Sequence, residues 1–183
     1  VSLQKISEMH GTPCYIYSKN SLINEFEEYK KAFKNKKDIL ICYSVKACSN
    51  LNILKIFNDL GSGFDIVSLG ELERLKYIGA DPKKIVFSGV GKTPNEINYA
   101  ISKNILLINA ESENEIKEIE KIANSKNKLI QIGIRLNPNT DAKTLNQIST
   151  GKKENKFGVN KKTFFEIINN FKNFKNIELK CLS

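Results

Sequence analysis

The sequence predicts an α/β fold, a partial (β/α)8 TIM-type barrel, and three observations carry that prediction. Short β-branched runs alternate with helix-length amphipathic segments from about residue 39 onward. The strand runs begin near residues 39, 64, 85, 105 and 129, a recurrence of about 20 to 25 residues, which is the length of one βα unit returning to a parallel neighbour. The turn after the first of them, Ser44-Val45-Lys46-Ala47-Cys48, holds no glycine, whereas a doubly wound open sheet would place a GxGxxG phosphate turn there. A complete barrel takes about 250 residues. A 183-residue chain that opens on Val1 and ends at Ser183, directly after a strand, is therefore expected to lack residues at each end.

The elements follow in order. A short strand at 15–17 and a helix at 21–33 form an N-terminal piece, residues 1–36, that leads into the barrel portion, residues 37–183. Strands are expected at 39–44, 64–67, 85–88, 105–109, 129–136 and 177–182, each β-branched and bounded by turn residues. The helix at 50–60 gathers Leu51, Ile53, Leu54, Ile56, Phe57 and Leu60 mainly on one side, with Ser49 as its cap and Gly61 as its stop. The next, at 70–78, follows the cap Ser68 and closes at Gly79. Thr93-Pro94-Asn95-Glu96 is a capping box with proline at the first helical position, and Ser112-Glu113-Asn114-Glu115 is a second box, opening a helix to about Ala123. Asn160 or Thr163 opens the last helix, whose apolar face is Phe164, Phe165, Ile167, Ile168 and Phe171. The polar stretch 137–160, with Gly151 and Gly158, is long for a βα loop.

Composition removes several function classes. The formal charge is +9, from 29 Lys plus Arg against 20 Asp plus Glu, yet only Arg74 and Arg135 are arginine and the lysines alternate with glutamates. Nucleic-acid readers favour the arginine fork and a continuous basic stripe, so nucleic acid is not expected as a partner. No apolar run reaches the roughly 18 residues of a spanning helix, and the Val1 end lacks a signal-peptide layout. The expectation is a soluble, cytoplasmic protein without a membrane partner. Cys14, Cys42, Cys48 and Cys181 form no CxxC pair and His10 is the sole histidine, so no metal site is expected. Cys42 and Cys48 read as buried thiols of a reducing compartment.

In a βα barrel the reactive groups stand at the C-terminal ends of strands. That rule picks Lys46 after the first strand, Asp65 within the second, and Arg135 in the fifth. Lys46 follows Ile39-Leu40-Ile41-Cys42-Tyr43 with no acidic residue nearby in sequence. An apolar setting lowers a lysine's pKa, and a neutral amine forms a Schiff base with an aldehyde. The competing reading is an ordinary strand-end lysine reaching solvent. Arg135, inside Ile130-Gln131-Ile132-Gly133-Ile134, points to a carboxylate or phosphate partner, or to a salt bridge with Asp65 or another acid. Asp65 in its apolar run needs partners of its own. Gly91-Lys92-Thr93 resembles the end of a phosphate loop, but the first required glycine would fall at Val86. Cys48 has no histidine following it to make it a nucleophile.

Several motifs in order then carry a resemblance. They are Gly11-Thr12-Pro13, Tyr43-Ser44-Val45-Lys46-Ala47-Cys48-Ser49-Asn50, Gly63-Phe64-Asp65-Ile66-Val67-Ser68-Leu69-Gly70-Glu71-Leu72-Glu73, Ile85-Val86-Phe87-Ser88-Gly89-Val90-Gly91-Lys92-Thr93, Arg135-Leu136-Asn137-Pro138, Ile148-Ser149-Thr150-Gly151 and Glu154-Asn155-Lys156-Phe157-Gly158. The sequence resembles the diaminopimelate decarboxylase family, of the alanine-racemase-like barrel class that uses pyridoxal 5'-phosphate. The resemblance implies that Lys46 holds the cofactor as a Schiff base, with Asp65 and Arg135 as cofactor-binding neighbours and Glu71 as a possible further site carboxylate. It implies decarboxylation of meso-2,6-diaminopimelate to L-lysine and carbon dioxide, a homodimer with a shared active site, and an N-terminal strand and helix belonging to a β domain completed by sequence beyond Ser183. Residues 1–183 alone are then expected to be inactive. Where family members usually carry His and Tyr ahead of the STG motif, this chain has Thr144-Leu145-Asn146-Gln147. A related ornithine, arginine or carboxynorspermidine decarboxylase, or a non-catalytic remnant or binding module, are the alternatives.

Overall fold

The computed structural model describes residues 1–140 and 157–183, and the chain divides into two compact units, Val1–Lys37 and Asp38–Ser183. The first unit holds α1 (Leu3–His10) and α2 (Lys19–Ala32). Helix α1 went unanticipated although its brackets are in the sequence. Ser2 caps it through the Lys5 N–H, and Gly11, at φ 76°, closes it by donating to the Ser7 carbonyl. The strand expected at 15–17 is absent among the described elements. A strand exists through its partner, and Tyr15, 92% exposed, has none among the described strands.

The second unit is a six-stranded sheet of β1 (Cys42–Ser44), β2 (Gly63–Ile66), β3 (Ile85–Phe87), β4 (Leu107–Ala110), β5 (Ile130–Ile134) and β6 (Ile177–Leu182). Every pair is parallel and the spatial order is the chain order. That order has no switch point, which separates a barrel from a doubly wound sheet. Right-handed crossovers in one direction also put every intervening helix on the same face. Those helices are α3 (Leu51–Asp59), α4 (Leu69–Tyr77), α5 (Pro94–Ser102), α6 (Glu113–Ser125) and α7 (Lys161–Asn170).

Alternation along the strands assigns the two faces. Phe64, Ile66, Ile85, Phe87, Ile108, Ala110, Ile132 and Ile134 are all at most 1% exposed, as residues under the helix layer must be. They meet Ile53, Leu54, Leu72, Leu75, Ile97, Ile101, Ile116 and Ile119 from the helices. Burial of this interface at about 25 cal/mol per Å² is what holds the layers together. The other face carries Ser44, Asp65, Ser88 and Asn109, whose mutual hydrogen bonds cross it. The strands are shorter than the apolar runs predict. Ile39 and Leu40 precede β1 and are 51% and 38% exposed, because β2 starts only at Gly63, opposite Cys42.

Helix boundaries fall where cap chemistry puts them. Asn50, not Ser49, caps α3, accepting from the Asn52 and Ile53 N–H groups. Ser68, Thr93, Ser112 and Asn160 cap α4, α5, α6 and α7. Helices α3, α4 and α6 end in the same pair of bonds: Ser62 and Gly61 donate to Phe57 and Asn58, Ala80 and Gly79 to Leu75 and Lys76, and Lys128 and Asn127 to Ala123 and Asn124. These are Schellman closures. The start of β6 is tied to α6 by Glu120, whose carboxylate accepts from the Lys175 and Asn176 N–H groups. Among the described residues no helix is long and apolar enough to cross a membrane.

Candidate active site at the C-terminal rim of the sheet

The C-terminal strand ends bring polar groups to one rim. Lys46 lies in a 3-10 turn, Val45–Ala47, directly after β1. The turn buries Val45 completely and leaves Lys46 exposed, so the apolar setting its neighbours predict is not what surrounds this side chain. Among the described residues no hydrogen bond or ion pair engages its Nζ.

Asp65, the third residue of β2, is half-buried. Its Oδ1 accepts a 2.6 Å hydrogen bond from Ser88 Oγ, and its Oδ2 a long 3.5 Å contact from Ser44 Oγ. Asn109 Nδ2 donates in turn to Ser88 Oγ at 3.1 Å. Four adjacent strand ends are thereby joined in one line, Ser44 to Asp65 to Ser88 to Asn109. Next to this line sits Cys42, whose thiol burial, and then the charge of Asp65, push up to about 11. That thiol is no nucleophile at neutral pH.

Arg135, directly after β5, is bound to Glu111 and not to Asp65. Its Nη1 lies 3.0 Å from Glu111 Oε1, and its Cζ lies 4.7 Å from the centre of the Phe157 ring. Glu111 follows β4 and is 6% exposed. Its Oε1 also accepts from the Gly89 N–H at 3.1 Å, and its Oε2 from the Gly158 N–H at 3.0 Å. The 157–159 segment is seated beside β5 by Val159 N–H to the Arg135 carbonyl and Asn137 N–H to the Val159 carbonyl, each 2.8 Å. Gly158 is required there: at φ +73° an added Cβ would stand 2.7 Å from the Arg135 oxygen. A second buried pair backs the first. Lys92 Nζ reaches Glu115 Oε1 at 2.7 Å and donates to the Gly89 carbonyl, while Glu115 Oε2 accepts from the Glu111 N–H. Lys92 is thus a structural cation, and Thr93 is the helix cap its box predicts.

Glu71 is occupied locally. Its Oε2 accepts from the Val67 N–H at 2.7 Å, at the start of α4. Among the described residues no hydrogen bond or ion pair joins Lys46, Asp65, Glu71 and Arg135 to one another. The motifs at Ile148-Ser149-Thr150-Gly151, Glu154-Asn155-Lys156 and Thr144-Leu145-Asn146-Gln147 lie outside the described residues. Sequence reasoning missed Glu111, Ser88, Ser44 and Asn109. The strand-end rule reaches all four, because Ser44 closes β1, Ser88 follows β3, and Asn109 and Glu111 stand at the end of β4.

These groups fit the cofactor that the resemblance implies. Pyridoxal phosphate needs an unpaired amine for its carbonyl carbon, and Lys46 offers one at the rim. It also needs fixed polar neighbours, and Asp65 offers a carboxylate with one oxygen anchored and the other only weakly engaged. Arg135 offers a guanidinium held in place by Glu111 and Phe157.

Comparison with known proteins points the same way. The family model described as the pyridoxal binding domain of pyridoxal-dependent decarboxylases matches residues 19–183. Diaminopimelate decarboxylase of Helicobacter pylori strain J99 is 50% identical over 164 residues, covering 90% of this chain and 40% of that protein. The enzyme of the same name from Haemophilus influenzae is 48% identical over 157 residues, covering 86% and 38%. Among solved structures, the H. pylori diaminopimelate decarboxylase complexed with L-lysine superposes with a TM-score of 0.94 at 46% identity, over 99% of this chain and 46% of that one. The M. jannaschii diaminopimelate decarboxylase in complex with L-lysine gives 0.88 at 32% identity, over 97% and 43%. The chain therefore spans about two-fifths of the length of the curated relatives it matches.

Proposed function

Because this chain belongs to the pyridoxal-dependent decarboxylases, we propose that it supplies the Lys46 rim of an enzyme that decarboxylates meso-2,6-diaminopimelate to L-lysine and carbon dioxide. One observation supports this most strongly: a TM-score of 0.94 to a diaminopimelate decarboxylase that was crystallised with L-lysine. The rim's chemistry agrees with it. When bound, pyridoxal phosphate supplies an electron sink for the pair left by a departing carboxylate.

The roles proposed for this chain's own residues are supported by where they stand. Lys46 Nζ is the amine that would hold the cofactor, and as a free amine at the rim it would be able to carry a proton. Asp65 presents Oδ2 to the site while Ser88 anchors Oδ1. Arg135 keeps a cationic fork at the β5 end, oriented by Glu111 and stacked over Phe157. Glu71 enters as a rim carboxylate whose Oε2 is held by the Val67 N–H. The reading carries with it a cytoplasmic homodimer that shares its active sites, and residues 1–36 as the lead-in to the barrel.

The test is turnover by the protein as its gene encodes it. Lysine and carbon dioxide should form from meso-2,6-diaminopimelate in the presence of pyridoxal phosphate, and Lys46→Ala should reduce the rate by several orders of magnitude. Preference for ornithine, arginine or carboxynorspermidine would replace the substrate assignment. Turnover that survives Lys46→Ala would remove the site assignment.

A further inference from the structure

We infer that Ser88, held by Asn109, is a positioning residue that fixes the rotamer of Asp65 and so decides which of its carboxylate oxygens is offered to the ligand. The inference rests on the proposed placement of Asp65 beside the cofactor.

A serine hydroxyl has one proton to give and two lone pairs to receive with. Asp65, an acceptor when ionised, takes the Ser88 proton at Oδ1 over 2.6 Å, the short distance of a charge-assisted bond. With its proton committed, Ser88 Oγ is left to accept, and the group 3.1 Å away is therefore the amide nitrogen of Asn109. This sets the orientation of the Asn109 amide. Its Oδ1 turns toward β5, where it is buried without a hydrogen-bond partner among the described residues. Gly133 makes room for it, since an added Cβ there would overlap Asn109 Oδ1. An amide 7% exposed, with one end orphaned, is a costly arrangement. What it secures is the direction of the chain: Asn109 to Ser88 to Asp65 Oδ1, running across β4, β3 and β2.

The consequence falls on Oδ2. Oδ1 already accepts one short bond, and Ser44 Oγ at 3.5 Å gives Oδ2 little. Oδ2 is then the less engaged oxygen, and fixing the rotamer presents it to a cationic or hydrogen-bond-donating group of the ligand. Without Ser88 the carboxylate is free to turn, and its affinity for that group falls.

The experiment is a double-mutant cycle on the protein as its gene encodes it, read by equilibrium binding of pyridoxal phosphate through its visible absorbance. The variants are Ser88→Ala, Ser88→Thr, Asp65→Asn and the double Ser88→Ala/Asp65→Asn. Loss of one charge-assisted bond predicts about tenfold weaker binding for Ser88→Ala and recovery of most of it in Ser88→Thr. In the Asp65→Asn background Ser88→Ala should change binding by less than about twofold, because its effect passes through Asp65. The dependence of the bound absorbance on pH should shift in Ser88→Ala and return in Ser88→Thr, a signature that general loosening would not give.

If Asp65→Asn weakens binding while Ser88→Ala is silent, or acts equally in both backgrounds, the inference is overturned and the placement of Asp65 stands. If Asp65→Asn itself is silent, the placement fails and takes the inference with it. Should Ser88→Ala not fold, Ser88→Cys, a weaker donor of similar size, replaces it in the same cycle with the same expected pattern.

Discussion

Arg135 and Glu111 form the most constrained pair in the rim. The Glu111 side chain is 3% exposed and its two oxygens accept from Arg135, Gly89 and Gly158, so three elements lose a fixed point if it goes. Glu111→Ala should destabilise the fold by about 3 to 5 kcal/mol, the cost of leaving a buried charge partner uncompensated. Glu111→Gln should cost less, since its carbonyl oxygen still accepts while its amide nitrogen faces a donor. Urea unfolding of the three proteins measures both. A Glu111→Ala loss below about 1 kcal/mol would show that Arg135 and the two N–H groups find water or other acceptors instead. The place of Lys46 at the end of the first strand was legible in the sequence; its exposure was not, because the turn buries Val45 and leaves the lysine outside. Glu111 was not legible, because it sits at the head of a Lys/Glu-rich segment that reads as a solvated helix face. Its partners lie 22, 24 and 47 residues away, and local pattern says nothing about such distances. Ser88 and Asn109 stand at strand ends, but their hydrogen bonds span 23 and 21 residues and no local pattern marks them.

At the scale of elements, the helix starts show one device used three times. A Ser or Thr cap is followed three residues on by Glu, which caps backbone N–H groups in return. The S/T-x-x-E spacing announced each start. It did not announce how far the glutamate reaches, since Glu71 and Glu115 accept from the residue before the cap, Val67 and Glu111. Glu96 goes further and binds Thr93 with Oε2 and the Leu69 N–H with Oε1, coupling α5 to α4. Burial alone would raise its carboxyl. The hydrogen bonds from the Thr93 and Leu69 N–H groups and the Thr93 hydroxyl, with the charge of Lys92, outweigh that and hold it below the ordinary carboxylate value of 4.5. A pKa lowered on folding adds stability that is full above the unfolded value and vanishes as pH falls through the folded one. Wild type should therefore exceed Glu96→Gln in stability at about pH 7, with the gap narrowing as pH falls below the ordinary carboxylate value of 4.5. A gap that stays constant below that value would mean that shape, not charge, sets this contribution.

For the whole molecule, the parallel sheet in chain order was legible because strand spacing and the missing glycine turn after β1 are long-range regularities that survive errors at element ends. The ends themselves shifted, with β1 and β5 shorter than their apolar runs, because pairing and not hydrophobicity decides where a strand begins. The expected strand at 15–17 failed on the same principle. One face of the sheet is sealed under helices, the other carries a line of hydrogen-bonded polar groups, and Lys46 stands exposed just past the β1 end of that line, an asymmetry that fits a site at the rim. The central claim is that Lys46, among the many lysines of a chain with 29 basic residues, is the one that takes the cofactor. The direct measurement is borohydride reduction of the protein, as its gene encodes it, with equimolar pyridoxal phosphate, followed by peptide mass mapping. The prediction is a single stable pyridoxyl label on the peptide containing Lys46, absent from Lys46→Ala. A label spread over many lysines, or concentrated on another, would contradict it.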